Sequence, residues 1–218
     1  MIEVTLLYMV RERGGVGREN ARQRILDASV RLFAARGYAA TGIRPIADAA
    51  GVTTAALYYY AQTKNDLLTN VMRTGLSELL ESAQRAVAAL DDPVSQIRAL
   101  IAVHAKFGAS NPDRAKVIDN EVQWLDGKRR ASIMSLRDEY EALWSTAIAR
   151  GNSLGRFRVR SESLARLALL EMCNGLARWY RPDGPLDLDE IVAIFEEMAF
   201  SLLRLKEPLP TPLTTGAR

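Results

Sequence analysis

From Ile25 onward the apolar side chains recur at offsets of three and four, the spacing of one helix face. Ile25, Ala28, Ser29, Leu32 and Phe33 form that stripe, Arg22, Arg24, Arg31 and Arg36 fall outside it, and Gly37 follows as a left-handed stop. Thr41 then stands where a helix start needs a side-chain oxygen, and Ile43, Ile46, Ala47 and Ala50 supply the next apolar face. This predicts a second helix from about Gly42 to Ala50, with Pro45 in the first turn, where backbone donors lack intrahelical partners anyway. Gly51 makes the turn, Thr53 is the natural N-cap of a third helix, and that helix carries Ala55, Ala56, Leu57, Tyr58, Tyr59 and Tyr60. A helix, a short helix, a glycine turn and another short helix predict a helix-turn-helix unit whose third helix enters the major groove of DNA.

Beyond Lys64 the pattern stays helical and offers no strand signal. Helices are expected over Lys64–Leu90, Pro93–Ser110, Pro112–Trp124, Lys128–Arg150, Ser161–Tyr180 and Leu188–Lys206. The breaks fall at Asp91-Asp92-Pro93, Ser110-Asn111-Pro112, Gly127, Gly151 to Gly155 and Arg181 to Pro185. The expected architecture is all-α with about nine helices. A flexible arm covers 1–17, a helix-turn-helix DNA-binding domain 18–64, a helical ligand-binding and dimerisation domain 65–207, and a disordered tail 208–218. Met9 is an alternative start to Met1, and Arg11, Arg13 and Arg18 could follow the minor groove or simply stay solvated.

At about 100° per residue, Ala55 and Tyr59 point away from Leu57. If Leu57 anchors the third helix on the core, those two face the groove, while Thr54, Tyr58 and Tyr60 flank it. Small residues permit close approach, hydroxyls and backbone N–H groups suit phosphate oxygens, and methyl groups suit the thymine methyl. The candidate DNA-binding set is Thr41, Gly42, Arg44, Thr53, Thr54, Ala55, Tyr58, Tyr59, Tyr60 and Lys64.

These residues resemble the tetracycline-repressor (TetR) family of transcriptional regulators. The resemblance rests on Leu32-Phe33, Gly37-Tyr38, Thr41, Ile46-Ala47, Ala50-Gly51-Val52, Leu57-Tyr58 and Lys64 before Asp66-Leu67. It implies phosphate or base contacts from Thr41, Thr53, Thr54, Tyr58, Tyr59 and Lys64, in a homodimer on a palindromic operator. Two positions depart from the family pattern: Ala61 stands where phenylalanine is usual, and Gly42 where serine or threonine is usual. The C-terminal part, through Arg137-Asp138-Glu139-Tyr140, Gly151 to Phe157 and Trp179 to Pro185, is similar to the branch containing acyl-CoA-responsive repressors of fatty-acid and steroid catabolism. That similarity implies an acyl-CoA thioester as effector, with a drug-like or other apolar small molecule as the alternative.

Charge sharpens the picture. Residues 1–72 hold nine basic against six acidic side chains while the remainder balances, so the whole net charge of +3 sits on the proposed reader. A sequence pI near 9.1 suits a polyanionic partner. Cys173 is the only cysteine, which excludes an intrachain disulfide or thiolate zinc cluster and favours a reducing cytoplasm. No run approaches about 18 apolar residues, so no membrane span is expected. A nucleophile elbow, P-loop, dinucleotide glycine motif and His/Cys metal cluster are all lacking, so neither catalytic nor metal residues are assigned, and an enzyme acting on an acyl-CoA is the distant rival.

The last two helices are apolar on almost every side and therefore need covering all round. Leu167, Leu170, Cys173 and Leu176, with Ile191, Phe195, Met198 and Leu202, are expected at a four-helix dimer interface; a helical hairpin internal to a monomer is the alternative. Phe107, Trp124, Met134, Trp144 and Met172 are candidate walls of an effector pocket, with His104, Gln123 and Asn174 supplying polar groups. Residues of these kinds are more often simply core.

Overall fold

The computed structural model describes residues 20–206, and within them nine α-helices and one 3-10 turn account for the regular structure. The arm, the choice of start codon and the tail fall outside the described residues. The helices are α1 (20–36), α2 (Ile43–Ala50), α3 (Thr54–Tyr60), α4 (Lys64–Val87), α5 (Pro93–Ser110), α6 (Pro112–Asn120), α7 (Gly127–Ser153), α8 (Glu162–Trp179) and α9 (Leu188–Leu203). Two compact units divide the described residues: one takes 20–80 together with Ser110–Asp138, the other Glu81–Ala109 and 139–206.

In the first unit the apolar stripe of α1 closes as its spacing requires. Ile25, Ala28, Ser29 and Phe33 are buried, Leu32 is half-buried, and Arg22, Arg24, Arg31 and Arg36 face solvent. Ser29 avoids an unsatisfied hydroxyl by donating to the Ile25 carbonyl at 2.7 Å. Gly37 takes φ +77, the left-handed conformation expected of it. Ile46, Ala47, Ala50 and Leu57 pack from α2 and α3, and Leu67, Leu68, Val71 and Met72 from α4. The head of α4 is fixed by a reciprocal cap. Thr63 Oγ1 accepts from the Asp66 backbone at 3.1 Å, and the Asp66 carboxylate accepts from Thr63 N–H and hydroxyl at 2.9 Å each. Arg129 on α7 donates from Nε and Nη2 to the other Asp66 oxygen, at 3.0 and 2.7 Å, and from Nη1 to Asp126. Against the desolvation that would raise it, these bonds hold the Asp66 carboxyl below its ordinary pKa.

The second unit is a helical layer built on Ile97, Leu100 and Ile101 of α5, Trp144 and Ile148 of α7, Leu169, Cys173 and Leu176 of α8, and Phe195, Ala199 and Phe200 of α9. Ser161 caps α8, and Asp187 with Glu190 forms a capping box at the start of α9.

The helices expected to end at Leu90 and Lys206 stop three residues earlier, at Val87 and Leu203, and three other boundaries differ for a local reason. The helix predicted over Pro112–Trp124 ends at Asn120, and Val122–Trp124 tightens into the 3-10 turn. Gly127 starts α7 instead of breaking the chain, with the Arg130 N–H reaching back to the Asp126 carbonyl at 2.7 Å. The expected break at Gly151 is also absent, and α7 runs on to Ser153. Gly151 makes room instead: a Cβ there would sit 2.1 Å from Phe157 Cδ2, and that ring is buried.

Candidate nucleic-acid interface

The second helix of the reader begins without a side-chain cap. Its N-cap is Gly42, and the Thr41 hydroxyl turns inward, donating to the Leu32 and Gly37 carbonyls at 3.2 and 2.8 Å. Thr41 is therefore a buried clasp on the loop after α1, which corrects its assignment as the cap of α2. Gly42, Arg44 and Pro45 remain exposed around the uncapped start. At the far end Gly51 adopts φ +64, and its N–H reaches the Ala47 and Asp48 carbonyls, which turns the chain sharply toward α3. Arg24 on α1 seals the same turn by donating from Nε to the Ala50 carbonyl at 3.0 Å.

Thr53 then caps α3, its hydroxyl oxygen accepting from Ala56 N–H at 3.1 Å. Leu57 is 0% exposed, so α3 is nailed down by one side chain. The opposite side is open: Thr53, Thr54, Ala55 and Tyr58 are exposed, and Tyr59 is 73% exposed. Tyr60 is half-buried and meets Tyr59 edge-on, with ring centroids 5.4 Å apart. A seven-residue rod thus shows small residues and phenols on one side and leaves its backbone free for close approach. Ala61 closes the helix from a buried position, its N–H on the Leu57 carbonyl.

Lys64, at the start of α4, lies 4.1 Å from the centre of the Tyr38 ring. Its ammonium donates to the Tyr38 and Thr41 carbonyls at 2.9 and 3.0 Å. Two of its three N–H donors are thus committed to the loop before α2. Tyr38 also packs against Phe33 and against Trp124, at 5.4 and 5.9 Å between centroids. Arg24, Tyr38 and Arg129 are supports that the pattern of the sequence did not single out. Arg24 read there as one of the arginines outside the apolar stripe, Arg129 carried no signal, and for Tyr38 only its place beside Gly37 was one.

The remaining candidates separate. Gln123, Trp124 and Met134 belong to the first unit, where Gln123 and Trp124 are exposed. His104, Phe107, Trp144, Met172 and Asn174 belong to the second. There His104 Nε2 lies 3.0 Å from Asn174 Oδ1 and His104 Nδ1 lies 3.0 Å from the Tyr140 hydroxyl, a partner the sequence reading missed. Of the side chains expected at a dimer interface, Leu167, Met198 and Leu202 are exposed, while Leu170, Cys173, Leu176, Ile191 and Phe195 are buried within the unit. A side chain such as Cys173, at 0% exposure, has no area left to give a second subunit, so the set needs correction. The open apolar face is made by Leu164, Leu167, Trp179, Ile194, Met198 and Leu202.

Among the described residues no group of three or more His, Cys, Asp or Glu could hold a metal ion, and no helix is long and apolar enough to cross a membrane. A buried three-helix core carrying an open, hydroxyl-rich third helix defines a helix-turn-helix DNA-binding regulator. Residues 25–71 match the family of bacterial regulatory proteins named after tetR, and residues 90–203 match the tetracyclin repressor-like C-terminal domain. The chain belongs to the tetR family, whose members are transcriptional regulators and not enzymes.

Several proteins of that family align over most of the chain. The HTH-type transcriptional repressor KstR2 of Rhodococcus jostii is 29% identical over 177 residues, covering 80% of this chain and 87% of its own. The crystal structure of the TetR-family regulator PfmR from Thermus thermophilus superposes with a TM-score of 0.74 at 30% identity, covering 85% of this chain and all of that one. AibR, crystallised with isovaleryl coenzyme A and operator DNA, gives a TM-score of 0.76 at 26% identity, covering 85% and 99%.

Proposed function

We propose that this chain is a repressor that pairs as a homodimer, sets two copies of α3 into successive major grooves of a palindromic operator, and lets go when a small-molecule effector binds. The observation that carries the reading is the two-sidedness of α3: Leu57 fully buried, Ala55 and Tyr59 open on the other side. In this reading Ala55 and Tyr59 approach the bases. Thr53, Thr54, Tyr58 and Tyr60 flank them toward the phosphates, and Gly42 and Arg44 contribute from the exposed start of α2. Thr41 and Lys64 act mainly by holding the loop that presents α2, with the third Lys64 N–H available to a phosphate.

Pairing uses the exposed apolar side chains of α8 and α9, since a patch of that kind on a lone subunit calls for a partner. Residues 18–64 form the reader, and residues 65–207 sense the effector and pair. An effector weakens DNA binding only if it favours the conformation that does not bind DNA. Because α4 is one helix from Lys64 to Val87, a displacement along it reaches the reader directly. His104, Phe107, Trp144, Met172 and Asn174 are assigned to the effector site. The crystal of AibR with isovaleryl coenzyme A, together with the sequence similarity, supports an acyl-CoA thioester as effector. The protein works where the DNA is, in the cytoplasm. A gel shift on the intergenic DNA beside the gene, with and without a panel of acyl-CoA thioesters, tests the reading. Retarded DNA that a thioester releases is the expected result, and full operator affinity at saturating thioester across the panel contradicts this effector class.

A further inference from the structure

Helices α8 and α9 pack antiparallel, and the two ends of that hairpin carry opposite charge. At one end the first turn of α8 lies beside the last turn of α9, and the strap leading into α8 is tied down there. Arg158 N–H donates to the Leu203 carbonyl at 3.0 Å, and Val159 N–H to the Asn152 side-chain oxygen at 3.2 Å. Between strap and helices runs a groove of about 310 Å³, lined by the apolar Val159, Leu164, Ala165 and Leu202 and by Arg158, Arg160 and Arg204. All three arginines are exposed, and among the described residues none of them meets a carboxylate. Their sequence neighbours Arg156 and Arg166 are paired, with Asp92 and Glu141, while Glu162 in the first turn of α8 accepts from Asn152. Arg204 caps α9 at φ +52, a left-handed conformation that usually falls to glycine. A costly conformation retained at a charged residue is the kind of outlier found where a side chain has a function.

The other end of the hairpin is the turn after Trp179 and the start of α9. Asp183, Asp187, Asp189 and Glu190 are exposed there, four carboxylates against the two guanidiniums of Arg178 and Arg181. Eighteen residues of α8 hold the ends about 27 Å apart, beyond the roughly 10 Å reach of exposed charges at 0.1 M salt, so the arginines gain little from their own acidic turn. Leu164 and Leu202 belong both to the groove and to the open apolar face, which makes the two surfaces continuous. We infer that the arginine groove seats the acidic turn of a second copy of this chain, each dimer closing two such contacts. The inference rests on the pairing proposed above and adds its direction. A two-fold axis makes every contact twice. If the axis crosses the hairpins they run antiparallel, and each groove faces the partner's acidic turn. If it runs along them, Arg158, Arg160 and Arg204 meet their own copies. Like charges brought together resist association and opposite charges steer it, so the ends select the antiparallel arrangement that the apolar face alone leaves open.

Two full-length variants test this: Arg158→Glu with Arg160→Glu, and Asp183→Lys with Asp189→Lys. All four side chains are exposed and none caps a helix, and circular dichroism checks that helicity is kept. Each variant alone sets like charges at both contacts of its homodimer. At low salt its dimer dissociation constant in sedimentation should rise at least about tenfold over the parent, and at about 0.5 M salt the difference should shrink. In a mixture, the heterodimer brings Glu against Lys at one contact and the parental pair together at the other. It should dominate the native mass spectrum, with affinity restored to within about threefold of the parent. Homodimers of both variants as tight as the parent's overturn the seat and leave the apolar pairing face standing. Weakened homodimers with no preference for the heterodimer show that the two surfaces do not meet, and overturn it too. A monomeric parent removes the pairing reading itself.

Discussion

Replacing Lys64 with methionine keeps most of the stem and removes the ammonium that joins the head of α4 to the loop before α2. Two charge-assisted hydrogen bonds disappear, to the Tyr38 carbonyl at 2.9 Å and the Thr41 carbonyl at 3.0 Å, together with the contact over the Tyr38 ring at 4.1 Å. Both bonds are part-buried, so water recovers some of the loss and each is set just under the charged range, at about 1–1.5 kcal/mol. The cation–π contact adds about 0.5–1 kcal/mol, for a total near 3 kcal/mol. At roughly 2–4 °C per kcal/mol for a chain of this size, the melting temperature should fall by about 6–12 °C. Thermal melts followed by circular dichroism give that number, and DNA titrations at several salt concentrations give its companion. With at most one N–H left for a phosphate, the slope of log K against log salt should flatten by no more than about one unit. A full unit of flattening with a melting temperature moved by less than about 1 °C would show that Lys64 serves DNA and not the fold.

Four further outcomes follow from the same structure. Gly151→Ala ordinarily gains helix propensity, but here the new Cβ would meet Phe157 Cδ2 at 2.1 Å; the variant should lose about 1–3 kcal/mol in urea denaturation, and a stabilised variant would refute the contact. Met198→Glu changes a side chain 54% exposed, so circular dichroism should stay the same while sedimentation shows monomers; unaltered dimers would move the pairing face elsewhere. His104 titrates at about 4 in the fold against about 6.5 unfolded, so the unfolded chain binds the extra proton between those values and stability rises with pH there. Acidification from pH 7 to 4 should remove about 3 kcal/mol through this residue, the only histidine, and His104→Gln should flatten that part of the urea-midpoint profile; an equally steep profile in the variant would contradict it. Glu196, raised by burial against the pull of Arg98, contributes with the opposite sign.

Helical periodicity made most of the architecture legible. The stripe Ile25, Ala28, Ser29 and Phe33, the turn at Gly51, the cap at Thr53 and the anchor at Leu57 depend on neighbours within a few residues, and the structure places them as the spacing requires. What spacing could not reveal are bonds that span long stretches of chain. Lys64 reaches carbonyls 26 and 23 residues away, Arg129 reaches Asp66 over 63, and His104 reaches Asn174 over 70. For that reason Lys64 looked like a free phosphate ligand, and Tyr140 went unnoticed although it stands one turn before Trp144; the Thr41 hydroxyl, by contrast, turns back onto carbonyls only four and nine residues away. Glycine misled in a different way. Gly127 and Gly151 read as stops because flexibility is the common use of glycine, while Gly151 serves close packing against Phe157. The all-round apolar character of α8 and α9 announced that both sides need covering, but only coordinates could sort Cys173 and Leu176, facing inward, from Leu164 and Met198, facing out.

The central claim is that the open side of α3 reads a base sequence. It is tested most directly by titrating fluorescent duplexes with the parent and Tyr59→Ala proteins at one fixed salt concentration. One duplex carries the intergenic DNA beside the gene and the other a scrambled sequence of equal length. The account predicts at least about a thousandfold preference for the intergenic duplex in the parent. Tyr59→Ala should lose affinity for that duplex while binding the scrambled one as before. Equal affinity of the parent for both duplexes, or equal losses on both in the variant, would contradict it.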